Sequence, residues 1–377
     1  MSEALVKNER LLTLDVFRGM TIAFMILVNN PGSWSNTFSP LRHSPWNGAT
    51  PTDLVFPFFL FIVGVSVFFA FSKYGQTLNA QTSIKIAKRT AMIFLIGLAL
   101  NYFPFYNQSL SELRIMGVLQ RIALAYGIAA FLCLGVSDKH LPKVGILILL
   151  AYWGLLYFLG GDDPFSLENN IVRTVDLAIF GEAHIYGGYG IPFDPEGLLS
   201  TLPSIGTVIF GYLIGSLIKG ESNNKGQLVK NLLLVGVLSI FVALIWDQYF
   251  AINKPIWSSS YVLYTGGIAC LVIAILIELI DIRQYKGRTK AFVIFGMNPL
   301  IVYAFSGIIS TTFRKIIKWE NATGESTNVH SFMFNDVFLG ILPDFPKLAS
   351  LCYALFIVAI CWLLAWVLYR KNIFIKV

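Results

Sequence analysis

Ten apolar stretches set the terms for this chain, at about residues 14–31, 53–72, 87–104, 115–136, 143–160, 198–218, 229–249, 260–280, 291–312 and 348–369. Each approaches the roughly 17–25 residues that a helix needs to cross a bilayer's hydrocarbon core. Charge between and within them is scarce. Of 377 residues, 13% are charged and 56% are hydrophobic, and the mean hydropathy is +0.68. A soluble domain carries about 25% charged residues. The expectation is an all-α polytopic membrane protein with about ten transmembrane helices, residues 1–377 forming one domain.

The basic residues set an expected orientation. With the N-terminus taken as cytoplasmic, the outer segments hold Arg42, Arg114, Arg173, Lys254, Arg314, Lys315, Lys318 and Lys347. Arg18 and Arg121 fall inside spans, and the other eighteen of the 28 basic residues fall on inner segments. That excess predicts both termini inside and an even number of helices. The net charge of +7 is then a property of inner loops rather than a nucleic-acid signal. The start, "MSEALVKNERLLTLDVFRGM", mixes Glu3 and Glu9 with Lys7 and Arg10 and leads into a run containing Asp15 and Arg18. It shows no small-residue cleavage site, so the first run reads as a retained helix and not a signal peptide.

Cys133, Cys270, Cys352 and Cys361 all lie in apolar runs without CxxC spacing and read as small buried hydrophobes. His43, His140, His184 and His330 are scattered, so no metal is expected. Two outer loops are long, at about 161–197 and 313–347. The first is acidic, with Asp162, Asp163, Glu168, Asp176, Glu182, Asp194 and Glu196 against a single Arg173, and suits a cationic amine as well as plain solvation. Sequon-like triplets begin at Asn107 and Asn321.

Ionisable residues at membrane depth usually face a bundle interior or a polar pathway. Asp15 and Arg18 share a helix face at i, i+3 and can pair. In "ELRIMGVLQRIALAYG", Arg114 and Arg121 are seven residues apart, which predicts one helical face with Gly117 between them. Two such guanidiniums suit a phosphate or carboxylate ligand, and equally suit Asp15 or Asp53 as counter-ions. Asn29-Asn30-Pro31-Gly32 ends the first helix; Asn29 is a candidate amide donor to a reacting carbonyl, Asn30 a plain stop. The segment "SPLRHSPWNGATPTDLVFPFFLFIVG" brings Arg42, His43, Trp46, Asn47 and Asp53 to a helix entrance. Thr52 or Asp53 can cap that helix. His43 reads either as a general base or as an interface anchor.

The chain resembles the heparan-α-glucosaminide N-acetyltransferase family of transmembrane acetyltransferases. The resemblance runs through "LLTLDVFRGM", "RHSPWNGATPTDLVFPFFLFIVG", "RIMGVLQRIALAYG", "FDPEGLLSTLPSI", "WSSSYVLYTGG", "GMNPLIVY" and "LYRKNIFIKV". The animal members' extra luminal region and first helix are missing, as expected of a bacterial-type member in the inner membrane. The resemblance implies acetyl transfer from acetyl-CoA, as co-substrate, to the amine of a glucosamine-type sugar or glycan on the far side of the bilayer. It places the active-site histidine at His43 and an associated asparagine at Asn29. Asp15, Arg18, Asp53, Arg114, Gln120 and Arg121 match other polar positions of the family. Of these, Arg114, Arg121, Gln120 and Arg18 are candidates for holding CoA. Asp15, Asp53, Asn47, Asp194 and Glu196 are candidates for acceptor contact or structural pairing. The animal member suggests a homodimer. Transfer to a hydroxyl, and a transporter without chemistry, are the alternatives; a transporter built on inverted repeats would show them, and none is evident.

Overall fold

The computed structural model describes residues 11–106, 109–287, 289–320 and 324–375. The sequon positions Asn107 and Asn321, and the start with Glu3, Lys7, Glu9 and Arg10, lie outside them. Eleven helices precede a long C-terminal one: α1 (Leu12–Asn29), α2 (Val55–Ser72), α3 (Ala80–Tyr102), α4 (Val118–Gly135), α5 (Leu141–Leu159), α6 (Ile171–Phe180), α7 (Thr201–Gly220), α8 (Lys225–Asp247), α9 (Ser259–Leu276), α10 (Lys290–Met297) and α11 (Pro299–Thr311), then Pro346–Arg370. Short helical segments lie between them. Among the described residues, eight helices are long and apolar enough to span a membrane, or nine if the bent pair α10–α11 is one span.

Two of the ten expected spans differ. The third is a 23-residue helix, but Lys85, Lys88 and Arg89 in its first half leave it outside the apolar set. The ninth is broken, with its halves bent by 85°. Pro299 supplies the reason, since proline lacks an N–H and disfavours helical geometry at the preceding residue. Asn298 sits in the break, accepting from Ile375 N at 2.8 Å and donating to Ile373 O at 2.9 Å. The C-terminal tail thereby satisfies polar groups that hydrocarbon would not.

The bundle closes by backbone contact as well as by side chains. A Cβ on Gly64 of α2 would lie 2.0 Å from Val208 O of α7, and one on Gly211 would lie 2.0 Å from Phe61 O. Small residues permit this approach where the hydrophobic effect between helices is weak. Phe61, Ile62, Val65 and Ile214 pack around that seam.

Five connections meet at one end of the bundle: residues 30–54, 103–117, 160–200, 248–258 and 317–345. Three of them are tied by Ile115 N to His184 O (3.1 Å) and by Trp46 Nε1 to Phe165 O (2.9 Å), and Gly32 N fastens the first to Ser350 O of the C-terminal helix (3.2 Å). Neither long loop is irregular throughout. The first contains α6, and the second an antiparallel hairpin, β1 (Lys318–Glu320) with β2 (Ser326–Asn328), Trp319 opposite Thr327.

Candidate active site

Asp53 organises this end of the molecule. Residues 51–54 form a single 3-10 turn leading into α2, with Thr50 as its N-cap. Asp53 Oδ2 accepts from Thr50 N and Ser44 N, each at 3.0 Å. Its Oδ1 lies 2.6 Å from His43 Nδ1. The carboxylate therefore caps the helix with one oxygen and holds the histidine with the other. Thr52 does not cap; its hydroxyl donates to Pro40 O at 3.1 Å. A carboxylate only accepts, so Nδ1 is the donor, and a neutral ring would hold its lone pair on Nε2. Asp53 is 1% exposed and the His43 side chain 40%.

Lys254 completes the group. Its Nζ is 3.0 Å from His43 Nδ1, 3.4 Å from Nε2 and 3.6 Å from Asp53 Oδ1. An in-plane hydrogen bond to one ring nitrogen would leave the other much farther away, so the amine sits over the ring face. Burial pushes its ammonium below the ordinary lysine pKa, and the Asp53 carboxylate opposes that shift. The segment that delivers Lys254 is fastened to the His43 loop: Gly48 N donates to Ile252 O at 2.7 Å and Asn253 Nδ2 to Asn47 Oδ1 at 3.1 Å. Asn47 is thus a link between the loops rather than a lining residue of the His43 cavity. Three residues on, the fully buried Trp257 has φ 51, a strained backbone for a bulky side chain.

His43, Asp53, Lys254, Glu196 and Arg114 line a cavity of about 320 Å³, with Tyr186 and Tyr189 from the first long loop. Asn29 lines it too, and also lines a second cavity of about 390 Å³ with Asn101, Gln120, Tyr303, Ser306 and Ser310. Arg114 is the other residue common to both. Asn29 is exposed and its amide has no hydrogen-bond partner among the described residues. Asn30 is buried and turns back to Ile26 O at 2.8 Å, as a stop residue would. Gln120 is 1% exposed with Nε2 unpartnered. Gly97 makes room for it, since a Cβ there would stand 2.5 Å from Gln120 Oε1.

The arginines depart from expectation. Helix α4 begins at Val118, and Gly117 is fully extended, so Arg114 and Arg121 do not share a helical stripe. Arg114 grips Asp194 with two bonds (Nε–Oδ2 2.8 Å, Nη2–Oδ1 2.6 Å) and Glu196 Oε2 at 2.7 Å. Arg121 is fully buried, donating to Ser200 Oγ and to Gly197 O (3.2 Å), its guanidinium 5.1 Å from the Trp257 ring centroid. Neither pairs with Asp15 or Asp53. Both instead fasten the end of the acidic loop to α4 and α7. Asp15 and Arg18 pair at 3.2 Å, and Arg18 also bonds Ser66 Oγ (2.7 Å) and Gly296 O (3.4 Å). They lie towards the opposite end of α1 from Asn29, about 21 Å (Asp15) and about 16 Å (Arg18) away along the axis. His140, His184 and His330 line neither cavity.

A sequence model described as heparan-alpha-glucosaminide N-acetyltransferase, catalytic, matches residues 10–248. The chain belongs to this family. It is also 26% identical to the heparan-alpha-glucosaminide N-acetyltransferases of Homo sapiens and Mus musculus, over 98% of this chain and 60% of theirs. It thus spans about 60% of the length of the curated relatives it matches. The N-acetyltransferase model's matched stretch includes Asn29, His43, Asp53, Arg114, Gln120 and Glu196. It stops short of Lys254 and of Tyr303, Ser306 and Ser310. Sequence reasoning did not single those four out. Lys254 had one signal, as a lone lysine before "PIWSSS" in a connection otherwise without charge.

Proposed function

We propose that this chain is a transmembrane acetyltransferase that moves acetyl from acetyl-CoA to the amine of a glucosamine-type sugar, at the end of the bundle carrying His43, on the outer face of the membrane. The observation that carries the reading is the sharing of one cavity by a carboxylate-held imidazole and an exposed amide. The acceptor amine attacks the thioester carbonyl while His43 Nε2 takes its proton. Asn29 is placed to donate to the oxygen that gathers negative charge. As the C–N bond forms, the C–S bond breaks, and the proton on Nε2 passes to the departing thiolate. Asp53 stabilises the imidazolium that exists between the two transfers.

The second cavity suits the pantetheine arm of CoA, whose amides match Asn101, Gln120 and the hydroxyls of Ser306 and Ser310. The unpartnered Gln120 donor supports this, because a buried polar group without a partner is costly. Arg114 is better read as structural, since its bonds to Asp194 and Glu196 would have to break before it held phosphate, and Arg121 is fully buried against Ser200 and Gly197. The amine acceptor rests on the family resemblance, since Asp53 and Glu196 are balanced in the same cavity by Lys254 and Arg114. The chain would act as an integral multi-pass membrane protein.

Purified protein in lipid nanodiscs, given labelled acetyl-CoA and glucosamine, should release N-acetylglucosamine. His43→Ala should lower the rate by about 10²–10⁴ and Asn29→Ala by about 10²–10³. Acetylation of glycan hydroxyls alone would replace the amine acceptor. Absence of any acetyl transfer, or a His43→Ala rate equal to wild type, would overturn the reading. Acetyl retained on the protein without acceptor, and lost in His43→Ala, would replace direct transfer by an acetyl-histidine route.

A further inference from the structure

The proton economy of His43 needs more than Asp53. A carboxylate at 2.6 Å stabilises the imidazolium, which is useful during turnover but unhelpful before it, because a ring already protonated from solvent cannot accept the amine's proton. The charged groups facing His43 are Asp53 beside it, Lys254 over it, and Glu196 and Arg114 across the cavity, with the phenols of Tyr186 and Tyr189. Arg114 is itself held by Asp194 and Glu196, so its charge is largely spent on them. Lys254, 3.6 Å from Asp53 Oδ1, lies closer still to the ring nitrogens, at 3.0 and 3.4 Å.

We propose that Lys254 is a positioning residue whose ammonium, held over the His43 ring, keeps the imidazole in its neutral, proton-accepting form. An ammonium tolerates a neutral ring beneath it and opposes a cationic one. The side chain is 17% exposed, so solvent screens this opposition less than at a surface. The placement is built rather than incidental. Asn253 is fully buried, with its amide nitrogen on Asn47 Oδ1 and its amide oxygen accepting from Ile256 N at 2.9 Å. Its backbone N–H donates to Ser258 Oγ at 3.0 Å. The residue next to Lys254 is thereby fixed from three directions, and the His43 loop is one of them. The inference extends the reading of His43 as the base, but its test does not need acetyl transfer.

Diethylpyrocarbonate modifies only the neutral imidazole, and peptide mass spectrometry reads the adduct at His43 separately from those at His140, His184 and His330. The rate at His43 is followed against pH in the full-length protein without acetyl-CoA. In Lys254→Met the midpoint should move up by about one pH unit, so that below both midpoints modification is about tenfold slower than in wild type. Lys254→Arg should restore the wild-type midpoint, which a purely structural role of the lysine stem would not require. Lys254→Gln provides a second neutral variant if the methionine is poorly folded. A midpoint unchanged or lowered in both neutral variants would overturn the proposal. If the midpoint moves as expected while no acceptor is acetylated, the acetyltransferase reading fails and this one stands.

Discussion

At the scale of single residues, two carboxylates are held for opposite reasons. Asp53 has two acceptor oxygens and uses both, one for His43 and one for the backbone at residues 44 and 50. Asparagine offers a single acceptor oxygen. Asp53→Asn must therefore either release the cap or present His43 with an N–H that favours the wrong tautomer. The expected loss in acetyl transfer is about 10²–10⁴, with little change in expression, measured as turnover per folded protein. Asp176 shows the reverse case. It lies on α6, is 1% exposed, and burial pushes its pKa up to about 6 although Leu198 N donates to it at 2.9 Å. A native-state pKa above the unfolded value means that the folded protein binds the extra proton. Its contribution is therefore most favourable below the ordinary carboxylate range and is lost as pH rises through about 6. Asp176→Asn keeps the acceptor for Leu198 and removes that charge. It should gain up to about 3 kcal/mol relative to wild type at neutral pH, since a tenfold change in a proton-binding constant is worth about 1.4 kcal/mol. Thermal melts at about pH 4.5 and 7.5 check this, because the wild-type midpoint should fall more between them than the variant's.

At the scale of elements, apolar length was the legible quantity. The eight helices apolar enough to span coincide with eight of the ten runs to within a few residues at most ends. The third and ninth runs show where length fails as a guide. Charge at 85–89 thins the apolar content of α3, and Asn298-Pro299 was visible as a motif without its bend being read. Seven-residue spacing misplaced Arg114 because the helix starts four residues later, after an extended Gly117. Helix pairing was less legible still, since backbone approach at Gly64 and Gly211 depends on which helices are neighbours. Gly64→Ala should destabilise the protein by about 1–3 kcal/mol, the usual penalty of overpacking, because its Cβ would meet the backbone of α7. Gly154→Ala on α5 meets nothing within 4 Å and should melt with wild type. Equal melting midpoints for the two variants in the same detergent would remove the close-approach argument.

At the scale of the whole molecule, the site is a meeting of connections that are far apart in sequence. His43 and Asp53 were legible because they lie within one short segment, and Asn29 because it ends the neighbouring helix. Lys254 was not, because the pairing of Asn47 and Gly48 with residues 252 and 253, far away in sequence, brings residue 254 over residue 43. The same assembly sharpens the orientation argument. Among the outer basic residues, Arg42 donates to Thr37 O and Ser35 O, Arg173 to Pro192 O, and Arg114 to two carboxylates. Lys254 is turned onto His43. Arg114 and Lys254 are thereby paired within the fold, although Arg42 stays exposed, so fewer basic residues are free at this end than a sequence count suggests. Positive charge is retained on the cytoplasmic side during insertion, so the expectation from the basic residues is that the His43 end faces outward. Ser35→Cys, exposed in the loop before His43, and Gln227→Cys, exposed at the start of α8, test this directly. In a background with Cys352, the one partly exposed native cysteine, replaced by serine, a membrane-impermeant maleimide should label position 35 in intact cells. Position 227 should be labelled only after the membrane is opened. The reverse pattern would invert the topology and bring the acceptor to the cytoplasmic side.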